Sequence, residues 1–273
     1  YSVSLSSDGS VVAIGATNNN GNGTKSGHVR IYENSNGTWT QIGSDIDGEN
    51  SEDYSGWSVS LSDDGSVVAI GAHRNDGTGT NAGHVRIYEN SNGTWIQIGS
   101  DIDGEAIDDH SGNSVSLSGD GSVVAIGAYD NDGNGSASGH VRIYENSNGT
   151  WTQIGSDIDG EASEDYSGTS VSLSNDGSIV AIGAIYNAGV NGAQSGHVRI
   201  YENINGTWTQ IGSDIDGEAA DDASGNSVSL SYDGSTVAIG AYDNDGNGSS
   251  SGHVRIYQNI DGTWTKTAED IDG

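Results

Sequence analysis

Val59-Ser60-Leu61-Ser62-Asp63-Asp64-Gly65-Ser66-Val67-Val68-Ala69-Ile70-Gly71-Ala72 is the stretch that decides the fold. Its opening residues alternate small polar with apolar side chains, the pattern of a strand with two different faces. Its last six form a continuous small apolar run, the pattern of a strand covered on both faces. Asp64-Gly65 between them is a tight-turn signal, because Asp and Gly tolerate positive φ. The same Val-Ser-Leu-Ser string starts at Val3, Val59, Val115, Val171 and Val228, so the chain is five tandem units spaced by 56 or 57 residues. They run 1–56, 57–112, 113–168, 169–225 and 226–273.

Each unit reads as four strands, which in the first are residues 2–6, 11–16, 28–32 and 39–42. Asn36-Gly37 supplies the hairpin between the last two, and the N-G-T sequons at Asn36, Asn92, Asn148 and Asn205 are read as turns, since the fifth unit keeps the turn as Asp261-Gly262 without the sequon. No stretch has helical periodicity. Four short antiparallel strands repeated every 56 residues predict an all-β fold, a β-propeller of five four-stranded antiparallel blades, either complete or a five-unit part of a longer array. A β-solenoid is the rival, but its coils are shorter, and hairpin-joined meanders fit radial blades better.

Composition excludes other classes. With 39 Asp plus Glu against 8 Lys plus Arg, the formal charge of −31 argues against nucleic acid as a partner. Without Cys there is no disulfide framework, thiol nucleophile or Cys-ligated zinc. No apolar run reaches the length of a transmembrane segment, and the start at Tyr1 without a signal segment reads as a mature or excised piece.

Ser55-Gly56-Trp57-Ser58-Val59, the run 64–72, Gly83-His84-Val85-Arg86-Ile87-Tyr88 and Gly93-Thr94-Trp95 together resemble the FG-GAP repeat of integrin α-subunit propellers. The order recurs in all five units. The Phe of the family's F-G pair is replaced by Ser55, Ser111, Ser167 and Ser224, and the Pro that ends its G-A-P by Thr17, His73, Tyr129, Ile185 and Tyr242. The family's calcium loop has contracted to Ser7-Asp8-Gly9-Ser10 and its copies, so that site is not carried over. Integrin-type propellers have seven blades, and this chain has five units with no strand shared between the first and the last. The resemblance implies a secreted or cell-surface location.

Variation concentrates in the loops between strands two and three (17–26, 73–82, 129–138, 185–195 and 242–251), which share a predicted face with the inter-unit linkers and most of the acids. His73, Arg74, Tyr129, Tyr186 and Tyr242 of those loops, with Trp57, are candidate ligand-contacting residues. In the linkers, Asp45, Asp47, Glu49 and Asp53, with Asp101, Asp103, Asp157, Asp159, Asp214 and Asp216, place carboxylates at alternating positions before a Gly turn, which suits Ca²⁺. Asp130, Asp132, Asp243 and Asp245 offer similar oxygens, and solubilising charge or Asx turns account for the same residue types.

His28, Arg30 and Tyr32 recur in every unit, as does Trp39. A catalytic set does not come in five identical copies, so these residues are read as inter-blade structure, Arg against a linker carboxylate and Trp in the wedge between blades. No unique Ser/His/Asp set and no carboxylate pair confined to one unit is apparent. The sequence therefore leads to a non-catalytic extracellular propeller for adhesion or ligand recognition through its acidic face, assisted by Ca²⁺, with a protein or glycan partner. A five-site lectin and a self-assembling module of an extracellular fibre or large adhesin are the alternatives.

Overall fold

The computed structural model describes residues 1–273, and every regular element in it is a strand. The fold is an all-β propeller of five blades, each one sheet. In the first sheet β1 (Val3–Leu5), β2 (Val11–Gly15), β3 (His28–Ser35) and β4 (Thr38–Gln41) form an antiparallel meander in chain order, and β5 (Ile46–Asp47) pairs with β3. The second sheet repeats this with β6 (Ser58–Leu61), β7 (Val67–Ala72), β8 (His84–Ser91), β9 (Thr94–Gln97) and β10 (Ile102–Asp103). The chain packs as two compact units, Tyr1–Ile126 with Tyr144–Gln153, and Gly127–Ile143 with Ile154–Gly273.

Each sheet contains the expected four-stranded antiparallel meander, and a two-residue fifth strand pairs beside it with the third strand, β3 in the first sheet. After Gln41 the chain leaves β3 through Gly43, at φ 71°, and returns so that Ile46 pairs with Val29 and Asp47 with His28. The linker acid Asp47 thus lies in the sheet, with Asp45 immediately before the short strand. In the fourth and fifth sheets the first strand also starts early, at Ser167 and Ser224, with a register shift just after.

The alternation of Ser with Val and Leu has a packing reason. Ser58 Oγ donates to the Gly112 carbonyl at 2.7 Å and Ser60 Oγ accepts the Leu117 N–H at 2.9 Å, so the serines of one blade tie it to the first strand of the next. Ser170 and Ser172 do the same to Gly225 and Leu230. All six residues of β7 are buried, as a continuous apolar run requires, and burying each Val or Ile contributes about 1.5–3 kcal/mol. Gly71 has no space for a side chain: a Cβ there would lie 2.1 Å from the Gly112 carbonyl oxygen.

The Ser-x-Asp-Gly-Ser hairpins are held by their own hydroxyls. Asp64 Oδ1 accepts Ser62 Oγ and the Ser66 N–H, and these bonds, with that of the Ser66 hydroxyl, hold its carboxyl below the usual range. The recurrent carboxylate is thereby a turn residue. Asn36 at φ 53° and Gly37 at φ 84° form the other hairpin.

Gly71→Ala should lower unfolding free energy by about 3 kcal/mol, because the forced Cβ must push two blades apart. Ser60→Ala should cost about 1 kcal/mol through one lost hydrogen bond. Urea denaturation of the purified variants measures both, and equal stability of G71A and the wild type would refute the close-approach argument.

Candidate functional site

The repeated His, Arg and Trp sit at the junction between blades. Arg86 Nη2 donates to the Asp47 carbonyl at 2.7 Å, and its Nη1 lies 3.7 Å from Glu49, both in the preceding linker. Arg199 and Arg255 repeat this on Asp159 and Asp216, with Glu161 and Glu218 as counter-charges. Arg30 differs: it is exposed and makes a two-pronged contact to Asp45 of its own unit at 3.0 and 2.9 Å. Tyr88 is buried beside Arg86, with the guanidinium 5.7 Å from its ring centre, while Tyr32 is half-buried. The Nε1–H groups of Trp95, Trp151, Trp208 and Trp264 donate to the carbonyls of Ile42, Ile98, Ile154 and Ile211 in the preceding blade. Trp39 is 45% exposed.

The structure splits the linker acids by role. His28 meets Asp45 and Asp47, Glu49 meets His84 and Asp101, Glu161 meets His197 and Asp214, and Glu218 meets His253 and Asp270, each group with its ligand atoms within 4.8 Å of one another. These groups can hold a metal ion. Asp53 is not part of them. It is buried, accepts the Asn50 N–H and takes Asn75 Nδ2 from the next blade at 3.2 Å; Asp165 and Asp222 do the same work with Asn187 and Asn244. Thus Asp45, Asp47, Glu49 and Asp53 are not one cluster. Asp132 and Asp245 close their own loops by accepting the N–H of Ala137 and Ser250. Burial raises the carboxyls of Asp159 and Asp216, with Asp157 and Asp214 adding like charge.

A different constellation breaks the repeat. In the first compact unit, Trp57, His73 and Arg74 come together with Tyr1, Lys25, Tyr54 and His110. The His73 ring lies 4.0 Å from Trp57, 5.9 Å from Tyr54 and 5.7 Å from His110, centre to centre, and Tyr1 stacks on Trp57 at 4.1 Å. Trp57 Nε1 is fixed by Asn113 Oδ1 at 2.9 Å. Lys25 Nζ hydrogen-bonds the Tyr54 hydroxyl at 3.0 Å, and the Arg74 guanidinium sits 5.2 Å from the same ring's centre. His73 and His110 are the two histidines outside the repeated strand-three position. His73 is buried and its Nδ1 has no hydrogen-bond partner. Burial first, then the neighbouring His110 and Arg74, push its pKa down to about 3.

Tyr54, His110 and Lys25 escape the sequence reading. Tyr54 and His110 occupy one linker position, with Tyr166 and Ala223 as equivalents, and all four adopt φ between 53° and 56°. Non-glycine residues in that region are uncommon and concentrate where a site is being shaped. The available signal was that this position varies beside an invariant Ser-Gly.

In the second compact unit, Tyr129 lies 5.7 Å from Tyr166, which meets Tyr186 edge-on at 5.2 Å. Tyr242 is pushed up to about 12 by burial, with Tyr186 and Asp243 adding to it. A cavity of about 820 Å³ lies here between Glu161, Tyr166, Tyr186 and Gln194. It contains no histidine; Glu161 and Asp165 on its wall are already engaged by Arg199 and Asn187. The chemistry-bearing residues are in the first unit, so the candidate site is placed there.

His84 and His197 are likewise pushed down to about 4 by burial, with their arginines adding to it. An imidazole whose folded pKa is depressed stabilises the fold above its unfolded pKa, and that stability is lost as pH falls through about 6.5 toward the folded value. The unfolding free energy should fall steadily from pH 6.5 to 5, by at most about 1.4 kcal/mol per pH unit for each of these imidazoles. His73→Phe should make the fall shallower, measured by calorimetry across that range.

The FG-GAP repeat model matches residues 45–88 and 101–144. No curated protein matches the chain in sequence. Among solved structures, a putative 6-phosphogluconolactonase from Bacteroides uniformis is similar over 99% of this chain and 84% of its own, at 12% identity and a TM-score of 0.58. The periplasmic gluconolactonase of Pseudomonas aeruginosa is similar over 98% and 71%, at 15% identity and a TM-score of 0.63. Such identities carry the fold alone, yet they overturn the expectation of a non-catalytic module: propellers of this architecture include proteins named as lactonases. The integrin-like reading as an extracellular adhesion module, and its lectin and fibre alternatives, therefore give way, and the conclusion that the chain is not an enzyme is withdrawn. Residues 45–88 and 101–144 match the FG-GAP repeat and the same motif order recurs in all five sheets, so the chain is a five-bladed β-propeller that carries FG-GAP repeats.

Proposed function

We propose that this propeller is an exported hydrolase of small cyclic esters, acting at the His73–His110 cluster. The observation that carries the reading is the convergence of the two non-repeated histidines, 5.7 Å apart, on one spot of a chain whose other histidines are structural. The names of the two similar structures supply the reaction class, and the periplasmic one supports an exported setting. No helix is long and apolar enough to cross a membrane.

Opening a lactone requires water to add to the carbonyl carbon, the ring C–O bond to break and the ring oxygen to take up a proton. His110, half-buried at the edge of the cluster, is placed to take the proton from the attacking water and return it to the ring oxygen. The low pKa keeps His73 neutral, so its ring N–H donates a hydrogen bond to the carbonyl oxygen as negative charge develops there. Trp57 supplies an apolar wall for the ring of the substrate. A small neutral or anionic molecule takes the place of the expected protein or glycan partner.

Calcium is the cation expected from the linkers, and the inter-blade His/Asp/Glu groups are where it would bind. Their imidazole nitrogen suits a first-row divalent ion better than Ca²⁺, which prefers oxygen alone.

Purified protein should open glucono-δ-lactone, followed by acid release in a pH-stat, with His110→Ala reducing kcat about 10²-fold or more. Unchanged hydrolysis in H110A and His73→Ala together, with both variants folded by circular dichroism, would reject the site. Separately, Zn²⁺ or Mn²⁺ should raise the thermal midpoint more than Ca²⁺ does at equal concentration, relative to chelator, by mass action on the folded state.

A further inference from the structure

Lys25 and Arg74 are unusual in this chain. Five of its eight basic residues are the repeated strand-three arginines, and Lys266 pairs with Glu218 and Asp270. The remaining two, Lys25 from one loop and Arg74 from the next blade's, meet over one ring: Lys25 Nζ is 5.4 Å and Arg74 Cζ 5.2 Å from the centre of Tyr54. Like charges brought this close repel, and Arg74 does oppose the charge on Lys25. A fold with 39 acidic residues has ample means to neutralise them. It directs the nearby acids elsewhere. Asp53 is buried on Asn50 and Asn75, Asp76 accepts the Asn81 N–H at 2.8 Å, and Asp108 takes Asn81 Nδ2 at 2.9 Å. The Tyr54 hydroxyl, and after it Glu52 among the acids, favour the charge on Lys25.

We infer that the first unit's loop cluster binds a compact oxyanion, a carboxylate or a phosphate, between Lys25 and Arg74 beside the His73–His110 pair. The Arg74 guanidinium is exposed and planar, able to present two parallel N–H donors, while Lys25 contributes a mobile point charge already aimed by the Tyr54 hydroxyl. The net charge of −31 opposes anions at a distance, but solution ions screen that field over about 8 Å at physiological ionic strength, which leaves contact charges to decide binding. The inference deepens the lactone reading and rests on it only for the ligand's carbon skeleton: the substrate carries an acidic group besides its cyclic ester.

Isothermal titration of the intact chain separates the two sources, with inorganic phosphate in one arm, D-gluconate in another and D-glucose as the neutral control. Phosphate or gluconate should bind at millimolar concentration while glucose does not. Arg74→Gln and Lys25→Met should each weaken binding about tenfold, with Arg74→Lys recovering part of it if charge dominates. Both positions are at least partly exposed, so the variants are expected to fold, and circular dichroism verifies it. Binding of neither anion, or equal binding in both charge-removing variants, overturns the inference. Anion binding without turnover of any lactone removes the hydrolase reading and leaves the anion site standing. Turnover of neutral and acidic lactones with the same kcat/KM, unchanged in R74Q, has the opposite consequence.

Discussion

The carbonyl oxygens of Asp47, Asp159 and Asp216 each accept a hydrogen bond from the arginine of the following blade, and much of the structure follows from burying that arginine. Arg86 is about 6% exposed, and a guanidinium taken that far out of water needs a hydrogen-bond acceptor and a nearby counter-charge. The linker must therefore bring a carbonyl and a carboxylate to the same place in every unit. This accounts for the constancy of Asp-Ile-Asp-Gly-Glu. The Ile anchors the edge strand in the core, the second Asp offers its backbone, and the Glu, one turn on, supplies the charge. Trp95 and its copies lock the other end of the junction through the carbonyl of Ile42 and its equivalents.

Once that junction is fixed, the acidic composition changes meaning. Asp45 serves Arg30 and Gln41, Glu49 serves Arg86, Asp53 caps its own linker, and Asp64 closes a hairpin. Carboxylates that a sequence reading assembles into one cation-binding face are distributed among four separate structural tasks. The directional acidic surface is in large part an internal frame seen in one dimension.

Much of the fold was legible because the repeat multiplies weak signals: five copies of the same alternation, the same apolar run and the same Asp-Gly or Asn-Gly turn leave little freedom in the assignment. The interruption of the outer strand was not legible, since Ile42-Gly43-Ser44-Asp45 has no pattern distinguishing a bulge from a linker. For the candidate site the reverse holds. Trp57, His73 and Arg74 stood out by departing from the repeat, whereas Tyr54, His110 and Lys25 come from other segments of the chain, and only tertiary packing shows that they converge. Five identical copies of a residue set do not single out one centre, so a candidate site in a repeat protein is sought at the positions where the copies disagree.

The linker position shared by Tyr54, His110, Tyr166 and Ala223 shows how that disagreement is accommodated. All four hold left-handed φ, a conformation that disfavours any side chain with a Cβ, and the next residue in each case is a buried serine bridged to the preceding blade. The strain is the same for Ala223, which has no ring to place, so the backbone geometry is imposed by the junction and not by the side chain. The junction sets the backbone at this position, and the identity of the side chain is then free. Tyrosine there gives a platform for cations, and histidine gives a titratable ring beside His73. A rigid repeat thus acquires a unique site by substitution at a strained position whose conformation it maintains regardless of what occupies it.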